Sequence, residues 1–281
     1  MSRVRVLTDS TSDIPADLAT RLHITVVPAY VQIGNRSYRD GPPPEGLSRE
    51  AFYAQLPRMP SMPTTAVPPA DEFTAAYRGL LAEADEVIAI MISSQLSGMY
   101  SVAQLGALEI PHSKIRVVDS AQVTMGLGWL VIAAAEAAAD GKSAREILAL
   151  VEDMKARVHV LAILDTLEYL RRSGRVSWAQ ARAAQILRIK PIVEVLLGEV
   201  RDLGRTRTRR RAIERLVELT RALGPLERLA ILHTYAPEVE GFRHRLTDLC
   251  PPGHPLTVAV TTIVGAHVGP RCLGIAAVSA R

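Results

Sequence analysis

The sequence has few cysteines, few aromatic residues and no long apolar run. Its 281 residues include two cysteines, Cys250 and Cys272, which do not form a C-x-x-C pair. Two cysteines cannot build a disulfide framework for a chain of this length, so we expect both to be reduced. The longest apolar run, Met125 to Ala135, ends at Glu136 and falls well short of the roughly 20 residues that span a bilayer. It predicts a buried helix and no stable membrane insertion.

The N-terminus also lacks a recognisable targeting signal. Met1 to Val6 passes directly into strand-like sequence, without the apolar stretch and small-residue cleavage site of a secretory signal. A cytoplasmic location is therefore the expectation.

Charge of one sign is not in large excess. The net charge of +4 comes from 33 lysines and arginines against 29 aspartates and glutamates, a balance too even to indicate a nucleic-acid partner. Arginines nevertheless cluster locally, between Arg205 and Arg211 and between Arg171 and Arg175.

Short β-rich runs alternate with amphipathic or alanine-rich stretches, and this alternation predicts an α/β protein. The predicted strands are Val4–Leu7, Ile24–Val31, Val87–Ile92, Ile115–Val118, Val158–Leu164, Leu229–Leu232, Leu256–Val260 and Gly274–Val278. The predicted helices are Ala16–Leu22, Ser48–Leu56, Ala70–Ala84, Gly98–Leu108, Met125–Ala139, a helix capped by Ser143 and Glu146, Thr208–Leu223 and Glu238–Leu249. A new strand-helix series begins near Val158, which places a domain boundary between residues 1–156 and 157–281.

Two proline-rich stretches interrupt this pattern, Gly41 to Pro44 and Pro57 to Pro69. Because proline lacks the amide donor of a sheet ladder, both are predicted to be loops.

Motifs for common cofactors are incomplete. A P-loop ending at Gly141 would need glycine where the chain has Glu136, and a dinucleotide fingerprint from Gly126 would need glycine at Val131. Neither ATP nor a Rossmann cofactor is therefore expected. The sequence contains no H-E-x-x-H motif and no clustered Cys/His set, so no metal site and no cofactor are predicted.

Four polar segments lie where α/β folds commonly bind ligands, close after strands or before helices. Their hydroxyl groups are equally suited to capping helices, because Ser, Thr and Asp accept bonds from free amides. Thr65 either caps the following helix or presents its hydroxyl to an anionic group. His267 is either a core histidine or a hydrogen-bond donor beside glycines that allow close approach of a ligand. The segments are Thr8 to Pro15, Pro63 to Phe73, Ile92 to Tyr100 and Gly265 to Pro270.

Taken together, these segments resemble the DegV family, the fatty-acid-binding component of bacterial fatty acid kinase. The resemblance runs nearly end to end and depends on many short motifs in the same order. They are Thr8-Asp9-Ser10 with Asp13, Tyr38 to Gly41, Thr65 to Phe73, Ser93 to Tyr100, Val118 to Ser120, Leu167 to Arg175, Ile189 to Ile192, Arg207-Thr208 and Gly265 to Pro270.

The resemblance implies a two-domain α/β fold, with a Rossmann-like parallel-sheet N-terminal domain and a mixed-sheet α/β C-terminal domain. A lipid pocket would lie between the two domains. The implied ligand is a long-chain fatty acid, for example C16 to C18, and the implied partner is a separate ATP-dependent kinase that forms the acyl phosphate. On this reading the chain itself is a lipid-binding protein and not an enzyme.

The resemblance also implies roles for individual residues. Those that match the family's carboxylate-binding positions are Thr65, Ser94 and His267. Supporting positions at the pocket rim are Ser10, Ser97, Gly98, Gly269 and Arg271. The arginines Arg175, Arg205 and Arg207 are candidates for docking an acidic face of the kinase, although a solvated helix face explains the same charges.

Two departures from the family pattern bear on the site. Thr65 is followed by Ala66, Val67, Pro68 and Pro69, where the family has Ser-Gln-Pro-Ser, which removes polar groups beside the head-group position. Arg271 replaces a usual glycine and either adds a head-group contact or points to solvent.

A function of another class remains open at this point, a serine–histidine hydrolase acting on a small lipid ester. Ser94 or Ser97 would be the nucleophile and His267 the base, with Asp9 or Asp119 as the orienting acid. The glycine that begins a hydrolase elbow is absent, however, two residues before Ser97. Binding of nucleic acid by the arginine run is also disfavoured, because interleaved aromatic residues are lacking.

Overall fold

The chain folds into an α/β structure in which three sheets are connected by helices. A computed structural model describes residues 3–181, 189–250 and 255–281. The strands are β1 (Val4–Asp9), β2 (Ile24–Val27), β3 (Tyr30–Ile33), β4 (Arg36–Arg39), β5 (Thr64–Ala66), β6 (Glu86–Met91), β7 (Ile115–Asp119), β8 (Val158–Ile163), β9 (Lys190–Leu196), β10 (Glu199–Thr206), β11 (Leu226–His233), β12 (Leu256–Ala259) and β13 (Leu273–Ser279). The helices are α1 (Ala16–Arg21), α2 (Arg49–Gln55), α3 (Ala70–Leu81), α4 (Met99–Leu108), α5 (Met125–Ala139), α6 (Ala144–Lys155), α7 (Glu168–Ser173), α8 (Ser177–Ala181), α9 (Arg209–Ala222), α10 (Val239–His244) and α11 (Thr262–Val268).

The first sheet has four parallel strands in the order β2-β1-β6-β7. Its central strand β6 is buried from Val87 to Met91, as expected for a parallel sheet with both faces covered. This is the parallel sheet that the sequence analysis predicts for the N-terminal half.

A small antiparallel sheet, β4-β3-β5, follows the first sheet. Its strand β5 lies inside the proline-rich stretch, so the prediction that Pro57 to Pro69 contains no strand was wrong. The three residues of β5 all carry amide donors, and the prolines flank them at Pro63 and Pro68. Thr65 pairs with Val31 of β3 in this sheet.

The second large sheet has six strands in the order β10-β9-β8-β13-β11-β12. Neighbouring strands are antiparallel except β11 and β12, which are parallel. This mixed sheet confirms the fold class predicted for the C-terminal half. All its strands lie after residue 157, while the exact boundary between the two domains stays a prediction.

Helix α5 joins the two halves because it is apolar on nearly every side. It packs on β1 and β6 of the first sheet and on β8, β11 and β13 of the second, and most of its residues are buried. The indole Nε1 of Trp129 donates to the carbonyl of Ala276 at 3.0 Å. A Cβ at Gly126 would lie 2.6 Å from Val160 Cγ2, so glycine there permits close packing of α5 on β8. The predicted buried helix is confirmed.

Within the described ranges, none of the helices combines the length and the apolar character needed to cross a membrane.

Candidate functional site

A cavity of about 190 Å³ is lined by strands of the second large sheet and by segments that follow strands of the first. Residues from both halves of the chain form its wall, and most of them are aliphatic, with no Phe, Tyr or Trp among the described lining residues. The aliphatic lining includes Ala29, Val67, Ile92, Leu96, Met99, Val123, Val160, Ala162, Leu164, Leu170, Val176, Val193, Val195, Val200, Leu232, Val260, Ile263, Val264 and Val268. Such a wall is suited to a flexible apolar ligand.

Thr65 and His267 meet on this wall, as two of the three predicted head-group residues. Thr65 is in β5, and His267 lies in the last turn of α11. The Thr65 Oγ1 atom is 3.1 Å from His267 Nε2, and both residues line the cavity. The sequence places them 202 positions apart, so the fold alone brings them together.

The imidazole of His267 is neutral near pH 7. Burial, together with the smaller effect of the nearby Arg175 charge, lowers its pKa to about 4. A neutral ring carries one N–H. Either Nε2–H donates to Thr65 Oγ1, or the Thr65 hydroxyl donates to Nε2 and the N–H lies at Nδ1. The Nδ1 atom is buried and has no hydrogen-bond partner within the described part of the chain.

The third predicted head-group residue, Ser94, does not join them. Ser94 is exposed and does not line the cavity, and its amide donates to the Asp119 carboxylate at 3.2 Å. Ser97, which we predicted only as a rim residue, lines the cavity together with Gly98. The turn between β6 and α4 therefore turns Ser94 outward and brings Ser97 to the cavity wall.

Arg175 also lines the cavity, although the sequence analysis assigned it to partner docking. Its Nη1 donates to the carbonyl of Ser173 at 2.6 Å, and its charge acts on His267. Within the described lining residues Arg175 is the only Lys or Arg. It follows Gly174, whose φ of 74° ends α7 in the left-handed conformation that favours glycine.

The remaining predicted rim residues do not line the cavity. Ser10 Oγ accepts from the amide of Ala29 at 3.1 Å, and Ala29 lines the cavity. Gly269 has a φ of 80°, and a Cβ there would overlap the ring of Tyr169. Ser10, Gly269 and Arg271 are not among the lining residues.

Three of the predicted arginines face the surface, namely Arg271, Arg205 and Arg207. The side chain of Arg271 is 51% exposed and lies 3.9 Å from Glu238, so of the two open readings the structure favours the solvent-facing one. Arg205 lies near the end of β10 and Arg207 between β10 and α9, and both are exposed.

The geometry does not support the hydrolase alternative. Asp9 accepts from the amides of Thr11 and Ile92 at 2.9 Å. Asp119 accepts from the amides of Ser94 and Ala121. Neither acid orients His267, whose Nδ1 has no partner in the described ranges. A triad requires that contact.

Two threonines of the wall, Thr11 and Thr124, were missed as cavity residues. The hydroxyl of Thr11 donates to Asp9 Oδ1 at 2.5 Å, and that of Thr124 to Asp13 Oδ2 at 2.6 Å. Both threonines line the cavity. The polar run from Thr8 to Asp13 was the available signal, since it predicted a turn with side-chain acceptors.

Groups of three or more His, Cys, Asp or Glu side chains arranged to hold a metal ion do not occur among residues 3–181, 189–250 and 255–281.

Comparisons with known proteins match the chain over almost its whole length. The sequence model of the DegV family, described as an uncharacterised protein, matches residues 3–280. A DegV domain-containing protein of Streptomyces coelicolor is 36% identical over 98% of both chains. The structure of a fatty acid binding DegV family protein from Thermus thermophilus matches with a TM-score of 0.90 at 33% identity, over 99% of this chain and 100% of that one. DegV of Bacillus subtilis, a fatty acid binding protein, matches with a TM-score of 0.89 at 29% identity over the whole of both chains. The present chain belongs to the DegV family.

Proposed function

We propose that this protein binds a long-chain fatty acid, with the acyl tail in the cavity and the carboxylate beside Thr65 and His267. The observation that carries the proposal is the Thr65–His267 contact on the wall of an otherwise aliphatic cavity. The relatives from Thermus thermophilus and Bacillus subtilis, which are fatty acid binding proteins, support it.

The tail supplies most of the affinity. A fatty acid with about 14 buried methylenes at roughly 0.8 kcal/mol each gains about 11 kcal/mol before the entropy of binding is counted. The aliphatic wall contains no bulky aromatic ring among its described residues, which leaves room for a flexible chain.

The carboxylate head group determines the orientation of the bound fatty acid. A buried carboxylate is costly unless its oxygens accept hydrogen bonds. Thr65 and Ser97 are the hydroxyl donors we assign to it, with His267 in the tautomer whose Nε2–H donates to Thr65 Oγ1 and leaves the Thr65 hydroxyl hydrogen for the carboxylate. Ser97 takes the role that the sequence analysis gave to Ser94. Because His267 is neutral, Arg175 provides the positive charge that offsets the carboxylate.

A pair of serine variants tests this assignment. Ser97→Ala removes a donor at the cavity wall, and Ser94→Ala removes the same hydroxyl from an exposed position in the same turn. Since a hydrogen bond to a charged group contributes about 1.5–3 kcal/mol, we expect Ser97→Ala to weaken palmitate binding at least tenfold in calorimetric titration. Ser94→Ala should bind as the unaltered protein does. The reverse ranking would overturn the role of Ser97.

A further part of the proposal is that the bound acid is presented to a separate ATP-dependent kinase, which forms the acyl phosphate. The chain carries no complete P-loop, so ATP would be bound by the partner. The exposed cations Arg205 and Arg207 are suited to docking an acidic surface. On this proposal the chain is the non-catalytic component.

A further inference from the structure

The carboxylate of Asp13 accepts hydrogen bonds from two segments of the cavity wall and so connects them. Its Oδ2 accepts from the hydroxyl of Thr124 at 2.6 Å, and its Oδ1 accepts from the amide of Thr261 at 2.7 Å. Thr124 precedes α5 and Thr261 precedes α11. Thr124 lines the cavity, as do Val260 and Ile263 on either side of the Thr261–Thr262 junction. A single buried side chain, 2% exposed, therefore sets the start of both helices.

The backbone at this junction is held in unfavourable conformations. Asp13 has a φ of 56°, and Thr124 has a φ of 51° with a ψ of −145°. A β-branched residue at positive φ costs on the order of 1–3 kcal/mol and persists only where its surroundings impose it. In this conformation the Thr124 hydroxyl is bonded to Asp13. Loss of that acceptor would let the wall at Thr124 relax.

Helix α11 connects Asp13 to the head-group residues. It begins next to Thr261 and carries His267 in its last turn. Six residues of helix span about 9 Å, so Asp13 and a carboxylate bound at His267 lie about 10 Å apart. The start of α11 is further fixed by α2, since the Tyr53 hydroxyl is 2.9 Å from the carbonyls of Val260 and Thr261. A shift at Asp13 is thus transmitted to His267 through a short, rigid element.

The charges that face Asp13 do not balance. Arg49 of α2 lies 3.8 Å from Asp13 Oδ1 and also donates to the carbonyl of Ala259. Asp40, after β4, adds a second negative charge near Asp13, and its Oδ2 is buried without a partner in the described part of the chain. Tyr53 of α2 stays protonated, because burial raises its pKa well above the usual value. One cation therefore faces two carboxylates.

We propose that Asp13 is a positioning residue for the head-group site and that binding of an anionic ligand is accompanied by uptake of a proton at Asp13. This inference rests on the proposed function. Both protonation states of Asp13 can hold the helices, because a neutral carboxyl still accepts from the Thr261 amide and the Thr124 hydroxyl can rotate to accept. The ionised state, however, repels a carboxylate at the far end of α11.

Burial of the carboxyl groups determines the pH range in which Asp13 takes up its proton. Burial raises the pKa of Asp13 to about 7, and the charge of Arg49 opposes this increase. Burial raises the pKa of Asp40 to about 6, against a hydrogen bond from Ser10 and the charge of Arg49. His267, at about 4, does not titrate in the same range. A ligand charge about 10 Å away, at an effective dielectric constant of about 20, changes affinity about tenfold between the two states of Asp13.

The test compares palmitate affinity at about pH 6.5 and pH 8.5 in four proteins. Because the bound anion favours the protonated form of Asp13, affinity should be higher at the lower pH. The unaltered protein and Asp17→Asn, the same change at an exposed position of α1, should bind about tenfold more tightly at the lower pH. Asp13→Asn keeps one acceptor and cannot ionise, so its affinity should change less than twofold. Asp13→Ala, which removes both acceptors, should weaken binding at both pH values. Calorimetry in two buffers of different ionisation enthalpy counts the protons taken up.

Two contrary outcomes distinguish failure of the Asp13 coupling from failure of the proposed function. Tight binding with the same pH dependence in Asp13→Asn and in the unaltered protein would overturn the coupling and leave the proposed function standing. An unaltered protein that binds no palmitate at either pH would overturn both. If Asp13→Asn does not fold, NMR of the His267 ring in the unaltered, ligand-free protein decides the matter. The chemical shifts of the ring should show an inflection near pH 7, and its absence would overturn the link from Asp13 to His267.

Discussion

The isosteric change Thr65→Val tests the head-group site most sharply. It removes the hydroxyl that contacts His267 Nε2 at 3.1 Å while keeping the size and β-branching of the side chain. Its neighbour Thr64 provides a matched control, because it lies in the same strand, is exposed and bonds only Gln32, at 3.2 Å, among the described residues. The two variants therefore differ in one respect, the position of the lost hydroxyl.

The expected loss of affinity follows from the charge of the fatty acid carboxylate, which accepts the hydrogen bond. A hydrogen bond to a charged group contributes about 1.5–3 kcal/mol, and a loss of about 2 kcal/mol raises the dissociation constant about 30-fold. Thr65→Val should show that increase for palmitate in calorimetric titration, and Thr64→Val should stay within about twofold because surface changes usually cost less than 0.5 kcal/mol. Neither variant should lower thermal stability appreciably. Equal affinities for the two variants would refute the assignment of the carboxylate to Thr65 and His267.

Two further predictions concern the helix and the partner. Gly265→Ala would place a Cβ on the Tyr53 hydroxyl, so it should destabilise the protein by about 2 kcal/mol or more and weaken fatty acid binding. The control Gly79→Ala, in a helix with open space around it, should instead stabilise by about 0.5–1 kcal/mol; denaturant unfolding distinguishes the two. Arg207→Glu should slow kinase-dependent acyl phosphate formation about tenfold at low salt and less at high salt, with unchanged palmitate affinity. An equal effect of Arg210→Glu, or no effect of Arg207→Glu at any salt concentration, would refute docking at Arg207.

Elements with strong patterns were predictable from sequence. Helix α5 follows from an apolar run with no charged residue before Glu136, and the strands of the parallel sheet follow from short runs of Val and Ile. The run from Ile24 to Val31 is in fact two strands, β2 and β3, that meet at Pro28, since proline cannot donate to a ladder.

Elements set by tertiary contacts were not predictable. Helix α11 was not among the predicted helices, and Gly265 within it must be glycine because the Tyr53 hydroxyl occupies the space that a side chain would take. Strands β9 and β10 were also missed, since charged residues such as Glu194 and Arg201 interrupt their apolar pattern.

Only part of the candidate site could likewise be predicted from the sequence. The sequence predicted a hydroxyl-rich turn after β6, but which of its serines lines the cavity depends on the direction of that turn. The contact between Thr65 and His267 was expected only from the family resemblance, because no local pattern relates a strand residue to a helix 202 positions away. The position of Arg175 on the cavity wall and the contacts of Asp13 with Thr124 and Thr261 required the fold as well.

Native mass spectrometry of the purified protein, followed by denaturing extraction of any bound lipid, tests the central claim most directly. We expect the protein to carry, or to take up when it is supplied, one molecule with the mass of a long-chain fatty acid, and Thr65→Val to retain less of it than Thr64→Val. A protein that is empty after purification and takes up no added fatty acid would refute the proposed function.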